Sequence, residues 1–313
     1  MASKEQSRLI ILGNGFDLYH GLKTKYSDFK DYLQENIGNT NNYTINKADF
    51  VKDDKYFCGN TKDIIDIIYT IINNSANAEW SDFEEALGEI NYEEVLSYYQ
   101  KIGDNESETA LIINRTMRFI QTHFSDWIKQ VNYLDFKPKF KFKEDDIFLT
   151  FNYSRTLEDY YHINSNRICH IHGVINRNDD GETEEYLIFG HGKEMVDSKY
   201  SNNKYIKSTF EYLKKNKNLN RDKFENFLKT IKNRNIREIY DFGFSYSDVD
   251  KSYINEIVNI INNNAITWFS NVHCNNKCIF YDIQNRKKII NDFGFMGKTV
   301  ITCKCSNKTD ILK

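Results

Sequence analysis

Proline is all but missing from this chain: Pro138 stands alone among 313 residues. Asn, Ile, Lys and Tyr are abundant beside it, the imprint of A/T-rich coding, so clusters of Asn and Lys carry little functional weight. No run of about 18 uninterrupted apolar residues exists to span a bilayer. Residues 1–8 lack the apolar stretch of a signal peptide. Charge of one sign is lacking too. A net charge of −3 and a pI near 6.2 argue against a dedicated nucleic-acid binder, which is as a rule basic. The six cysteines are not spaced as a disulfide framework, and a chain of this size needs none. These absences predict a soluble cytoplasmic protein with neither a membrane nor a nucleic acid as partner. What remains is ample for a packed core: 40% apolar residues, with 15% aromatic.

Residues 8–13 read as a buried strand, β-branched and ended by glycine. From Thr24 the period changes, and Tyr26, Phe29, Tyr32 and Leu33 fall on one helical face. The same period returns over 61–74, 81–101 and 107–133, so the interval 25–145 is predicted to be a helical insertion or cap. Strands are expected again at 146–151, 167–172, 185–189, 236–242, 265–270 and 299–303. Helices are expected over 203–233 and 251–263. Alternating strands and helices predict an α/β fold with an open parallel sheet, built from 1–24 and 146–313.

In such sheets ligands lie beyond the carboxyl ends of the strands. The first strand brings Gly13, Asn14, Gly15 and Asp17 there, in a loop that runs on through Phe16 and His20 to Gly21 and Thr24. Glycines at 13 and 15 permit a sharp turn and a close approach to a phosphate. Position 18 is Leu, so this is not the G-x-G-x-x-G dinucleotide fingerprint. Later strands bring Thr150, Asn152 and Tyr153, then His170 and His172 before Gly173, then His191 between glycines. The last brings Gly243, Ser245, Ser247, Asp248 and Asp250. Each has a plain structural reading: a connection for the Gly-Asn-Gly turn, a helix cap for Asn152, a satisfied pair for the histidines, an N-cap for Ser245 to Asp250. Their common placement favours a site.

Gly13-Asn-Gly15-Phe-Asp17-x-x-His20-Gly21-Leu-x-Thr24-x-Tyr26 resembles the opening motif of the AbiH family of bacterial abortive-infection proteins. The likeness continues in Trp80-Ser-Asp-Phe-Glu84, Thr150-Phe-Asn152-Tyr153, His170-Ile-His172-Gly173 and Phe242-Gly-Phe-Ser245, and spans nearly the whole chain. More distantly, the same order is similar to sirtuins and sirtuin-like defence NADases, which implies a Rossmann-like core. By that resemblance Gly13, Gly15 and Asp17 would hold the diphosphate and ribose side of NAD+, the substrate. Asn152 would orient the water or the nicotinamide ribose, His172 would be the general base, and Gly243 with Ser245 would meet the adenosine half. Asp17 would also stabilise the cationic transition state. Ser154 stands where such enzymes often carry an acid, and Lys23 where sirtuins carry proline.

Sirtuin deacetylases hold a four-cysteine zinc module between the His-Gly strand and the Gly-x-Ser loop, whereas no cysteine lies between Gly173 and Gly243 here. Cys274, Cys278, Cys303 and Cys305 are too loosely spaced for a zinc site, so no metal is expected. The implied function is an antiphage effector that hydrolyses NAD+. The alternatives are a nucleotide sensor that does not cleave its ligand, or an effector acting on nucleic acid through 203–237. Such a toxic activity would need holding off until infection, by oligomerisation through the aromatic helical faces or by a phage trigger or defence partner.

Overall fold

A computed structural model describes residues 6–37, 84, 87, 106–131, 136–175, 187–188, 190–192, 202–216, 218–261, 265–272 and 279–303. The chain divides into two compact units, one of residues 1–24, 131–188 and 217–313, the other of 25–130 and 189–216.

The first unit is built on β1 (Gln6–Leu12), an apolar strand whose side chains leave water on both faces. Leu9 and Ile11 enter one core cluster, Ile10 and Leu12 another. A strand buried on both faces belongs inside a parallel sheet, and β1 pairs in parallel with β2 (Ile147–Thr150) on one side and β4 (Asn235–Phe242) on the other. With β3 (Ile168–His170), β5 (Thr267–Val272) and β6 (Lys298–Cys303), the sheet has six parallel strands in the order β3-β2-β1-β4-β5-β6. This is the Rossmann-like α/β order, its direction of winding reversing between β1 and β4.

Helices α6 (Arg221–Asn233) and α7 (Lys251–Ile261) cover one face through Phe224, Leu228, Ile231, Ile254, Ile257 and Val258. On the other face lie Phe16 of the short α1 (Gly15–Tyr19), Leu157 of α4 (Thr156–Tyr161), and an irregular strap entering β2. In that strap Phe140 and Phe142 turn to Phe16 and Phe148, while Lys137, Lys139, Lys141 and Lys143 are exposed. These aromatic contacts tie the strap to the sheet. The sequence pattern alone carried the insertion on to 145.

In the second unit, α2 (Tyr26–Ile37) packs Phe29 against Phe124 and Trp127 of α3 (Glu106–Lys129), with ring centroids 5.3 and 5.2 Å apart. Helix α5 (Lys204–Leu213) also packs on α3. The helix expected over 203–233 is thus two helices in two units. It stops at Leu213 because His191 N–H donates to the Leu213 carbonyl and the His191 carbonyl accepts from Lys215 N–H. The strand expected at 185–189 is not one at its described residues Leu187 and Ile188, where Ile188 N–H makes a bond of 2.8 Å to the His172 carbonyl. Helix α8 (Ile279–Asp292) links β5 to β6 where the sequence reading assigned nothing. The helices expected over 61–74 and 81–101 lie outside the described residues except at Glu84 and Leu87, both helical.

At the amino end of the sheet, Arg8 of β1 grips Asp146 with two bonds of 2.7 and 2.5 Å, both side chains buried. Removing one partner of a buried pair leaves an unpaired charge. Asp146→Ala should therefore cost about 3–5 kcal/mol in urea unfolding. Arg8→Met combined with Asp146→Leu should recover most of that loss.

Candidate functional site

The strand register puts Leu12 level with Thr150 and Phe242, and Thr150 level with His170. Asn14, Asn152, His172 and Phe244 each stand two residues beyond that row, past the carboxyl ends of four neighbouring strands. Ligands of open α/β sheets bind at this end, where the winding reverses.

The glycines of the first loop are spent on the neighbouring backbone. Gly13 N–H donates to the Phe242 carbonyl at 3.1 Å, Gly15 N–H to Gly243 at 3.0 Å, and Phe16 N–H to Gly13 at 2.9 Å. A Cβ on Gly13 would lie 2.4 Å from the Gly243 carbonyl oxygen, and one on Gly15 would lie 2.5 Å from Gly243 Cα. Gly243 itself has φ +65°, and its Cβ would meet Phe16 N at 2.4 Å. Downstream, Asn14 and Thr24 clasp each other: Asn14 Nδ2 donates to the Thr24 carbonyl (2.8 Å) and Thr24 Oγ1 to Asn14 Oδ1 (2.7 Å).

Asp17 points inward. Ser154 Oγ donates to its Oδ2 at 2.5 Å and Thr156 Oγ1 to its Oδ1 at 2.8 Å. An acid at 154 would have met this carboxylate with like charge; serine gives it a donor. Burial pushes Asp17 up to about 6, against the two hydroxyls and the charge of His170. His20 is buried on the aromatic face of the sheet. Its Nδ1–H donates to the Phe16 carbonyl at 2.7 Å, so Nε2 accepts from Tyr161 Oη at 2.7 Å. Burial pushes it down to about 4, with Lys139 adding and the Phe16 bond opposing.

Asn152 is buried, and its Oδ1 has no hydrogen-bond partner. Its carbonyl accepts from His170 Nδ1 at 3.2 Å, while His170 Nε2 meets Glu158 Oε1 at 2.9 Å. Burial raises the Glu158 carboxyl, but the hydrogen bond and charge of His170 outweigh it and hold it below its usual value. Both His170 nitrogens are thus engaged, one by a carbonyl and the other by a carboxylate.

His172 has a different partner. Its Nε2 lies 3.0 Å from Asp250 Oδ1, and Ser247 Oγ donates to Asp250 Oδ2 at 2.9 Å. Phe151 meets the imidazole edge to face at 5.3 Å. The Tyr153 ring lies 5.9 Å away, its hydroxyl donating to the Ile188 carbonyl at 3.0 Å. A carboxylate at one ring nitrogen orients the imidazole, as in known general bases.

A family model described as "Bacteriophage abortive infection AbiH" matches residues 9–272, from β1 through β5. The chain belongs to the AbiH family. No curated protein and no solved structure matches it. Family membership gives this AbiH protein a role in abortive infection against bacteriophage.

The structure brings the AbiH motif residues Gly13, Asn14, Gly15, Phe16, Asp17, His20, Gly21, Thr24, Asn152, Tyr153, His172, Gly243 and Ser245 into the first unit. Gly21 sits in an open turn with φ +83°, and Ser245 is exposed. His191 is in the second unit, fully buried, its Nε2 donating to the Phe210 carbonyl at 3.2 Å. Of the Trp80-to-Glu84 motif only Glu84 is described; it pairs with the buried Lys215 at 2.9 Å. Among the described residues no group of three or more His, Cys, Asp or Glu could hold a metal, and no helix is long and apolar enough to cross a membrane.

Sequence reading missed what Ser154, Thr156 and Glu158 do, and placed Asp250 among the strand-end candidates without giving it a partner. A signal was present, since polar residues recur at every second position from 152 to 158.

Two measurements follow. Gly13→Ala should be far more damaging than Gly21→Ala in chemical denaturation. The first meets backbone atoms and costs about 3 kcal/mol or more; the second costs only the left-handed backbone, about 1–2 kcal/mol. For pH, Asp17 titrates higher when folded than unfolded, so its support is full below about pH 4 and is lost as pH rises through about 6. His20 titrates lower when folded and runs oppositely, losing support as pH falls from 6.5 toward 4. Asp17→Asn should therefore gain on wild type between pH 4 and 6, by on the order of 2–3 kcal/mol in urea unfolding. Parallel stability curves would refute the assignment.

Proposed function

We propose that this AbiH protein is an antiphage effector that hydrolyses NAD+ at the carboxyl ends of β1 to β4. The observation that carries the reading is the buried pair of His172 and Asp250 at the end of β3, one strand from Asn152. Cleaving NAD+ with water needs an oriented base and a group that positions the water or the ribose. His172, oriented through Nε2 by Asp250, is assigned as the base that takes a proton from water, and Asp250 steadies the imidazolium formed. The glycosidic electron pair leaves with the ring nitrogen, giving neutral nicotinamide. Water oxygen bonds to C1′, giving ADP-ribose. Asn152 supplies an acceptor that nothing in the protein satisfies, in a place where a water or a hydroxyl can.

The carboxylate of Asp17 acts through the loop it holds. Its bonds to Ser154 and Thr156 fix the turn that carries Asn152, and its charge lies next to a centre that becomes cationic. Gly243 and Ser245 line the same strand end and are assigned to the adenosine half, with Gly13, Asn14 and Gly15 forming the floor of the crevice.

The test is release of nicotinamide from NAD+ by purified protein, with and without lysate of phage-infected cells. His172→Ala should lose roughly 100-fold or more of the rate, and Asp250→Asn at least about tenfold. Both variants should lose phage protection. NAD+ left intact under every condition while His172→Ala still protects would sink the hydrolase. NAD+ bound in calorimetry but never cleaved would make the protein a sensor instead.

A further inference from the structure

Asn152 is held by its main chain, while its side-chain oxygen is left over. Its N–H donates to Thr150 Oγ1 at 3.1 Å, and its carbonyl accepts from His170 Nδ1 at 3.2 Å. The residues on either side are fixed as well. Phe151 N–H donates to the Leu12 carbonyl at 2.9 Å, and the Tyr153 carbonyl accepts from Ile175 N–H at 3.1 Å. A carbonyl can only accept, so the His170 bond requires a hydrogen on Nδ1 and a ring turned with that edge to Asn152. Glu158 Oε1, 2.9 Å from Nε2, holds the ring that way round, and both side chains are largely withdrawn from water. A flip of the ring would put carbon atoms in place of both nitrogens, and both bonds would be lost.

Asn152 Oδ1 has no hydrogen bond of its own to hold it, so its place is set by the backbone that carries it. A reacting site needs such a group aligned to a fraction of an ångström. We infer that His170 and Glu158 are positioning residues for Asn152. Glu158 orients the His170 ring, and His170 pins the Asn152 carbonyl, so that Oδ1 meets the water or the ribose hydroxyl in one place. This rests on the reading that the site hydrolyses NAD+. Thr150 serves the same end from the N–H side. His170 and Glu158 act through Asn152 and not on the substrate.

A double-mutant cycle tests this, read as nicotinamide release and as NAD+ affinity in calorimetry. Glu158→Ala should slow release roughly tenfold or more when Asn152 is present. In an Asn152→Ala background the same change should have no further effect, because the atom it aligned is gone. Glu158→Gln should restore most of the rate, since an amide can donate to Nε2 or accept from it and so keep the ring in place. Equal losses from Glu158→Ala with and without the Asn152 side chain would overturn the positioning role and leave the hydrolase standing. If wild type binds NAD+ without cleaving it, the hydrolase falls and the cycle is read on affinity, where additive losses overturn the positioning role and non-additive ones support it. Wild type that neither binds nor cleaves NAD+ under any condition overturns both. If Glu158→Ala fails to fold, Thr150→Val takes its place: it removes the hold on the Asn152 N–H and should show the same dependence on Asn152.

Discussion

The close approach of two backbones between β1 and β4 governs this protein. Gly13 and Gly15 on one loop and Gly243 on the other meet with no room for a Cβ, and two main-chain hydrogen bonds lock them there. That contact sits where the sheet reverses its winding, which in an open sheet is the natural mouth of a ligand crevice. Here the N–H groups of residues 13, 15 and 16 are drawn into the protein, and the helix behind them is five residues long. A dinucleotide fold that holds its cofactor grips the diphosphate at a loop like this. This one spends the loop on its own cohesion and leaves its unsatisfied polar atoms one strand away, after β2.

Around that second loop the charges are arranged in pairs. Asp17 lies under Ser154 and Thr156, His170 links Asn152 to Glu158, and Asp250 holds His172. Each is buried, and burial alone would neutralise an isolated carboxylate. Hydroxyl donors and the hydrogen bond of His170 to Glu158 hold the balance. A comparable device serves structure alone between β4 and β5, where Asp241 accepts from Tyr246, Trp268 and Ser270 at 2.8 Å each and lies 3.7 Å from Arg286. The difference lies in what is left over. All of Asp241's partners come from the protein, whereas Glu158 and Asn152 each keep one buried acceptor without any.

Much of the fold was legible because β1 and β2 carry apolar runs ended by glycine or polar residues, a pattern that fixes buried parallel strands. The strand expected at 185–189 was not, since apolar composition cannot tell a short ladder from a buried turn. The single helix over 203–233 failed for a similar reason: a helical period runs through both α5 and α6 and takes no account of His191 binding the chain between them. In the site, residue types at strand ends were readable, but partners were not. Nothing in the spacing says that Asp250 meets His172 from 78 residues away, or that Ser154 donates to Asp17 from 137 residues away.

The pairing of the two histidines also bears on which of them does chemistry. On β3 they look equivalent, alternate residues on one face. His170 is bonded at both nitrogens, to the Asn152 carbonyl and to Glu158, so neither is open to a proton from water. His172 meets its carboxylate with one nitrogen, the condition under which an imidazole can be neutral, oriented and basic. Under the proposed hydrolysis the base is therefore His172. Glu158 and Asp17 gather two carboxyls near His170, an excess of acidic over basic groups. Under the proposed hydrolysis that excess of negative charge is what an oxocarbenium-like transition state requires.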